Sequence, residues 1–354
     1  MPAYLGMPLN AADQPADAPL TDRYGRVARD LRVSLTDRCN LRCTYCMPED
    51  PASWLPDEVL LSDEELLRLV RIAITRLAIT NVRFTGGEPL LRRSLEHLVA
   101  ATAAMTTHDG KRPGISMTTN ALGLAHRAQA LADAGMQRVN VSLDTTNPDH
   151  YADVTQRNRL PAVLAGLAAA RKAGLTPIKV NAVPQPETYR TDASQLLHFC
   201  LTHGYQLRFI EHMPLGADSA TWQANTIVTR RQLLEALTST GAILTEPAVS
   251  RGAAPAELWN VEWDGLSGDV GIIASVTAPF CATCDRTRIT ADGQLRTCLF
   301  DNAETDLRTP MRAGASDDEI AELWKRATWV KPRAHGIDHD GFARPARPMS
   351  AIGG

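Results

Sequence analysis

A chain of 354 residues with 44 % hydrophobic and 22 % charged side chains has an ordinary globular composition, and its length favours one large domain with a smaller one attached. The formal net charge of -3 leaves no global pull toward nucleic acid or an anionic membrane, so any basic site must be a local concentration of arginines inside a cleft. Six of the seven cysteines fall into two groups of three, which argues against a disulfide scaffold and fits a reducing cytoplasm.

Residues 1–22 combine Ala, Pro and Asp without a basic leader or a long apolar run, and read as a disordered arm rather than a signal peptide or membrane anchor. No apolar stretch is long enough to cross a bilayer. From about residue 30, β-type runs alternate with amphipathic helical segments. Strands are expected at Leu31 to Leu35, Val82 to Phe84, near Ile115, and at Val139 to Leu143, Ile178 to Val183 and Leu207 to Ile210. Helices are expected at Glu64 to Leu77, Leu91 to Ala104, 124 to 134, 160 to 173 and 192 to 202. Ser62 with Glu65 reads as a capping box, and Gly174 after Arg171-Lys172 as a helix stop. Six parallel strands in βα order make residues 23–240 an incomplete TIM-type barrel.

Beyond about residue 240 the rhythm breaks, with Pro247, Pro255 and several glycines around strand-like stretches at Leu258 to Trp263 and Val270 to Val276. A second, C-terminal domain is expected over 241–340, including a helix capped by Ser316 and Glu319, and then a tail over 341–354 ending Gly353-Gly354.

Chemistry is expected where loops leave the carboxyl ends of parallel strands and surround one cavity. Cys39 to Cys46, Gly86-Gly87-Glu88-Pro89, Thr118-Thr119-Asn120 and Ser142 to Asp144 all hold that position. Cys39, Cys43 and Cys46 differ from the two close pairs of a zinc site and can hold a cubane iron–sulfur cluster with one iron left open. Gly86 and Gly87 permit close backbone approach and, taken alone, also read as an ordinary βα turn. Cys281, Cys284 and Cys298 are ambiguous by spacing alone. They suit zinc, with His335 or His339 as a fourth ligand, or a second cluster. Cys200, on an apolar helix face, reads as a buried thiol.

The run Arg38-Cys39-Asn40-Leu41-Arg42-Cys43-Thr44-Tyr45-Cys46 resembles the signature of the radical S-adenosylmethionine superfamily, and Gly86-Gly87-Glu88-Pro89 resembles its companion motif. That resemblance implies a 4Fe–4S cluster on Cys39, Cys43 and Cys46 whose open iron takes the amine and carboxylate of S-adenosylmethionine. It also implies cofactor contacts from Tyr45, Gly86, Gly87, Glu88, Thr118, Ser142 and Met213. One electron given to such a cluster breaks the sulfonium C–S bond and yields a 5′-deoxyadenosyl radical.

A closer resemblance rests on Arg32, the cysteine loop followed by Met47-Pro48, the spacing Cys281-x-x-Cys284-x-Arg286-x-Arg288, Cys298 and the glycine pair Gly353-Gly354. Together, from about residue 24 onward, these resemble the GTP 3′,8-cyclase family of molybdenum-cofactor biosynthesis. The family likeness implies a second 4Fe–4S cluster on Cys281, Cys284 and Cys298 that binds the guanine base, making two clusters in all. It implies a substrate shell of Arg32, Arg83, Lys179, Arg208, Arg286 and Arg288, with Arg286, Arg288, Gly353 and Gly354 also needed for catalysis. The implied lyase reaction turns GTP into (8S)-3′,8-cyclo-7,8-dihydroguanosine 5′-triphosphate on the route to molybdopterin. Implied partners are a low-potential donor such as flavodoxin or ferredoxin, a second copy in a homodimer, and cyclic pyranopterin monophosphate synthase as recipient of the product. Neither a membrane nor nucleic acid is among them. Two positions depart from the family pattern: Asn81 stands where relatives often carry lysine, and Ala351 where some carry tyrosine.

Overall fold

Period-2 alternation decides the layout: each early strand has one apolar face and one polar face. Leu31 and Val33, Val82 and Phe84, Ile115 and Met117, Val139 and Val141, and Leu207 and Phe209 are fully buried. Between them along the same strands lie Arg32, Arg83, Ser116, Thr118, Asn140, Ser142 and Arg208. The computed structural model describes residues 14, 19–47, 54–215, 222, 226–247, 251–337 and 342–353.

In chain order the elements are β1 (Asp30–Ser34), α1 (Asp63–Thr75), β2 (Asn81–Thr85), α2 (Leu95–Ala103), β3 (Gly114–Thr119), α3 (Leu124–Asp133) and β4 (Arg138–Ser142). They continue with α4 (Pro148–Thr155), α5 (Leu160–Lys172), β5 (Lys179–Ala182), α6 (Tyr189–His203), β6 (Gln206–Ile210) and α7 (Arg230–Thr238). Then follow β7 (Ile243–Thr245), β8 (Glu257–Trp263), β9 (Leu266–Ile273), β10 (Arg286–Ile289), β11 (Gln294–Arg296) and β12 (Thr305–Asp306). Three helices close the description: α8 (Arg308–Arg312), α9 (Asp317–Trp329) and α10 (Met349–Ile352).

β1 to β6 pair in sequence order, each parallel to the next, as the βα rhythm requires. The segments after residue 240 build both flanks of the same sheet. β9 adds parallel to β6 and carries β8 and β7, while β10 adds parallel to β1 and carries β11 and β12. The fold is therefore α/β with a mixed sheet, and its C-terminal part is joined to the first part through backbone ladders on two sides.

The helix signals act as read. Ser62 Oγ accepts from Glu65 N and the Glu65 carboxylate accepts from Ser62 N, and Ser316 with Glu319 repeats the box at α9. Gly174 takes φ +75 just past α5, where a Cβ would be strained. Three expectations shift. The helix expected from Leu91 starts at Leu95, because Glu88 caps a separate turn over Pro89–Leu91. The helix α4 was not expected, although Asn147 Oδ1 accepts from Asp149 N and His150 N and Pro148 opens its first turn. Leu20, assigned to the disordered arm, is fully buried, and Thr21 bridges Val27. Among the described residues no helix is long and apolar enough to cross a membrane.

Trp324 of α9 is fully buried and donates from Nε1 to Thr287 Oγ1 on β10 at 3.1 Å, fastening the late helix to the strand beside β1. Trp324→Ala should therefore lower unfolding free energy by roughly 3–5 kcal/mol, read as a fall in the urea midpoint; an unchanged midpoint would show that α9 does not brace this edge.

Candidate functional site

The loop after β1 is shaped by its neighbours before any ligand is considered. Arg42 N and Thr44 N donate to the carbonyls of Thr155 and Val154 at the end of α4, both at 3.0 Å, and Cys46 N donates to Cys43 O at 3.0 Å. Arg42 Nη1 holds the carbonyls of Cys39 and Leu41 at 2.8 Å. Cys39, Cys43 and Cys46 are half-buried and take part in no disulfide. Burial pushes the Cys43 thiol well up, helped by Asp144 and the two neighbouring cysteines, and burial also raises Cys39. Cys39 and Cys43, which resist ionising on their own, are suited with Cys46 to a cationic core that draws off thiol protons.

The second loop fits against the first by backbone contact. Gly87 N donates to Thr36 O at 2.7 Å and Glu88 N to Arg38 O at 2.8 Å. A Cβ on Gly87 would meet the carbonyl oxygens of Arg38 and Asp37, and one on Gly86 would come within 2.6 Å of Thr36 O. Glu88, 1 % exposed, spans to the third loop: it accepts from Thr119 Oγ1 and Asn120 N, both at 2.7 Å, and from Leu90 N at 3.0 Å. Burial pushes its carboxyl up to about 7 against the pull of those bonds. Asn120 Nδ2 in turn lies 3.7 Å from Cys39 Sγ. Tyr45 donates to Asp144 Oδ2 at 3.0 Å, while Asp144 Oδ1 accepts from Val183 N at 2.8 Å.

Cys281–Thr283 forms one tight turn, Cys284 follows it, and Cys298 lies just beyond β11. Arg286 Nη2 stands 3.1 Å and Lys331 Nζ 3.4 Å from Cys284 Sγ. Burial raises the Cys284 thiol, but Arg286 and Lys331 outweigh it and bring the group down to about 6. Both cysteine trios line one cavity of about 310 Å³, together with Tyr45, Gly86, Gly87, Glu88, Thr118, Ser142 and Met213. His335 also reaches it, but Nε2 faces Ser275 O at 3.0 Å and Nδ1 accepts from Ile337 N at 3.1 Å, so both ring nitrogens are engaged. His339, the other expected zinc donor, lies outside the described residues.

Strand register assembles the basic groups. Arg288, Arg32 and Arg83 are aligned partners across β10, β1 and β2, followed by Ser116 on β3 and Arg138 on β4. Arg32, Arg83, Arg208, Arg286 and Arg288 line the cavity, whereas Lys179 and Arg138, at the starts of β5 and β4, do not reach its lining. Burial lowers Lys179 to about 7, with Arg208, Arg138 and Arg83 adding to the effect, and holds Arg208 and Arg288 at about 10. Asp30 answers only part of this charge, lying 3.9 Å from Arg32 and 3.7 Å from Arg83. Asn81 offers no cation; its amide donates to Thr80 Oγ1. Gly353 is buried behind the row: its carbonyl accepts from Arg288 Nη1 at 2.7 Å, and its φ of +72 beside Ser34 and Thr85 leaves no room for a Cβ. Gly354 lies outside the described residues.

The sequence pattern of the Radical SAM superfamily matches residues 33–200, and that of Molybdenum Cofactor Synthesis C matches 205–337. A GTP 3′,8-cyclase of Mycobacterium marinum is 58 % identical over 346 residues, covering 97 % of this chain and 94 % of its own. The chain belongs to the GTP 3′,8-cyclase family. A cyclase of Mycolicibacterium smegmatis is 57 % identical over 347 residues, covering 97 % and 94 %, and GTP 3′,8-cyclase 2 of Mycobacterium tuberculosis is 56 % identical over 359, covering 100 % and 98 %. Among solved structures, Streptococcus suis SuiB bound to S-adenosylmethionine shares the fold with a TM-score of 0.57 at 13 % identity, covering 89 % of this chain and 67 % of that one. Native anSMEcpe with bound AdoMet does so with a TM-score of 0.55 at 14 % identity, covering 86 % and 82 %.

Two residues of this cyclase-family site, Arg138 and Lys331, were not named by sequence, and Asn120 stood there only as the end of the Thr118-Thr119-Asn120 loop. Asp144 stood only at the end of a loop range, and Arg138 could have been found by counting two residues back from Asn140 on the polar face of β4.

Glu88 gives the site a pH signature. Its folded pKa lies above the unfolded value of 4.5, so its contribution favours folding at low pH and is lost as pH rises through about 7. In the apo-protein, Glu88→Gln should gain stability relative to the parent between pH 5 and 8; a pH-independent difference in urea unfolding would contradict this.

Proposed function

We propose that the chain is a GTP 3′,8-cyclase that uses S-adenosylmethionine and two 4Fe–4S clusters to convert GTP into (8S)-3′,8-cyclo-7,8-dihydroguanosine 5′-triphosphate for molybdopterin biosynthesis. The observation that carries the reading is the meeting of two three-cysteine sets and a row of largely buried arginines in one cavity. Cys39, Cys43 and Cys46 would hold one cluster, and Cys281, Cys284 and Cys298 the other. Among the described residues no three His, Cys, Asp or Glu side chains converge on a single ion, and the engaged ring of His335 weighs against zinc at the second trio.

When bound, the first cluster with S-adenosylmethionine supplies hydrogen-atom abstraction, so the chain needs no general-base pair for that step. The protein's part is to hold C3′ of the ribose at the radical and C8 of guanine close to C3′. Arg32, Arg83 and Arg208, with Lys179 and Arg138 nearby, offer planar and point donors to a triphosphate whose charge the acidic chain cannot otherwise hold. Arg286 and Arg288 lie nearer the second trio, and the Gly353 carbonyl fixes the direction of Arg288.

On this reading residues 23–240 are an incomplete barrel that positions the cofactor, 241–340 supply the base-binding cluster, and the tail over 341–354 brings the Gly353 carbonyl to Arg288. A cytoplasmic homodimer, reduced by flavodoxin or ferredoxin and handing its product to cyclic pyranopterin monophosphate synthase, completes the proposal.

Anaerobic reconstitution with iron and sulfide should give about eight irons per chain, and dithionite, S-adenosylmethionine and GTP should then yield 5′-deoxyadenosine and an isomer of GTP by mass spectrometry. Formation of 5′-deoxyadenosine with GTP untouched would overturn the substrate; no cofactor cleavage would overturn the enzyme. Arg83→Ala, which removes a guanidinium now resting on Ser116 Oγ at 3.2 Å, should raise KM for GTP about tenfold or more with a smaller fall in kcat. An unchanged KM would remove Arg83 from the phosphate shell.

A further inference from the structure

The two cysteine trios sit in electrostatically opposite surroundings. Lys331 is 5 % exposed, and its ammonium donates to Cys284 O at 3.2 Å, to Arg286 O at 3.0 Å and toward Cys284 Sγ at 3.4 Å. Among the described residues no carboxylate lies within ion-pairing distance of it. Arg286 adds a second charged donor to the same sulfur at 3.1 Å, its guanidinium lying over the Phe280 ring at 4.5 Å. A buried ammonium facing a sulfur instead of a carboxylate is a site built for negative charge located on that sulfur.

The first trio has the reverse setting. Cys39 Sγ faces a neutral amide, Asn120 Nδ2, at 3.7 Å. The charged Arg42 acts on Cys39 only from a distance, its donors going to the carbonyls of Cys39 and Leu41 and its guanidinium lying over Trp54 at 5.5 Å. Two buried carboxyls, Glu88 and Asp144, flank the loop, reaching it through Asn120 and Tyr45.

A three-thiolate cluster gains one unit of negative charge when it takes an electron, and donors or cations at its sulfurs favour that form while anions oppose it. We propose that the chain holds its two clusters at different potentials, that on Cys281, Cys284 and Cys298 being the easier to reduce, and that Lys331 is the positioning residue that sets this order through Cys284. The proposal rests on the reading that both trios carry 4Fe–4S clusters. The electron balance is simple: a one-electron donor is oxidised by one electron, the second cluster is reduced by one, and no proton or bond is exchanged. An electron entering the resting protein settles at the substrate side, and the first cluster fills only at a more negative poise. The chain's own residues thereby reserve the stronger reductant for the sulfonium.

The test is a potentiometric titration followed by electron paramagnetic resonance on the full, reconstituted protein without S-adenosylmethionine or GTP, with a Cys39→Ala, Cys43→Ala, Cys46→Ala variant assigning the second cluster's signal. The expected result is that this signal appears first as the potential is lowered. Lys331→Met should cut its reduced-to-oxidised ratio about tenfold at a fixed potential and leave the first cluster's signal in place, while Lys331→Arg should restore most of the ratio. The proposal is overturned if the first cluster reduces first or together with the second, or if Lys331→Met keeps the parental ratio whatever it does to thermal stability, because a simple brace for the loop would move stability alone. If Lys331→Met cannot retain its second cluster, the order of reduction in the parent and the Lys331→Arg comparison still decide. About four irons per chain in the parent would instead remove the two-cluster reading and this inference with it. Parental iron content with an unmoved ratio would remove the inference and leave the reading standing.

Discussion

Everything at this site hangs from the approach of one glycine to a neighbouring backbone. Gly87 lies so close to the carbonyls of Asp37 and Arg38 that no side chain fits, and Thr36 and Arg38 accept the amides of Gly87 and Glu88. The loop after β1 and the loop after β2 thus become one rigid piece. Glu88 extends that piece to the loop after β3, and Asp144 ties the loop after β4 to Tyr45 and to Val183 beyond β5. Four successive crossovers are locked at their carboxyl ends by main-chain or buried polar contacts, so the thiols start from fixed positions and little ordering remains to be done on binding.

A chain with formal charge -3 accommodates a strongly basic interior by arranging it in layers. The helix-facing sides of β1 to β6 are apolar and dry, whereas the other side carries the basic groups, with Arg288, Arg32 and Arg83 in lateral register across β10, β1 and β2. Burial first, and then the closeness of like charges, disfavours their charge at Arg32, Lys179, Arg208 and Arg288. An incoming polyanion relieves that repulsion, so part of its binding energy is already present as strain among like charges.

What was legible in the sequence was local. Capping boxes at Ser62 and Ser316, the stop at Gly174 and the strand alternation depend on neighbours a few residues away, and the structure shows each of them. The cysteine spacing and Gly86-Gly87 are likewise compact motifs. Long-range placement was not legible. No local pattern marks Lys331 as a partner of Cys284, 47 residues distant, or shows that the stretch after residue 240 divides between two edges of one sheet. Arg138 was hidden because a single charged residue at a strand start is usually solvated, and only the register with Ser116 and Arg83 places it among the buried cations.

The pairing of β10 with β1 also sets a timetable. Arg26, just ahead of β1, reaches the Cys281 carbonyl across 255 residues of chain. During synthesis β1 therefore emerges with one edge unladdered and waits for most of the protein to follow. The nascent chain can complete its first cysteine loop long before the strand that seals its flank exists. In that interval an exposed parallel edge and three accessible thiols coexist, so this family member has a period of vulnerability to aggregation and oxidation on the ribosome that ends only when β10 docks.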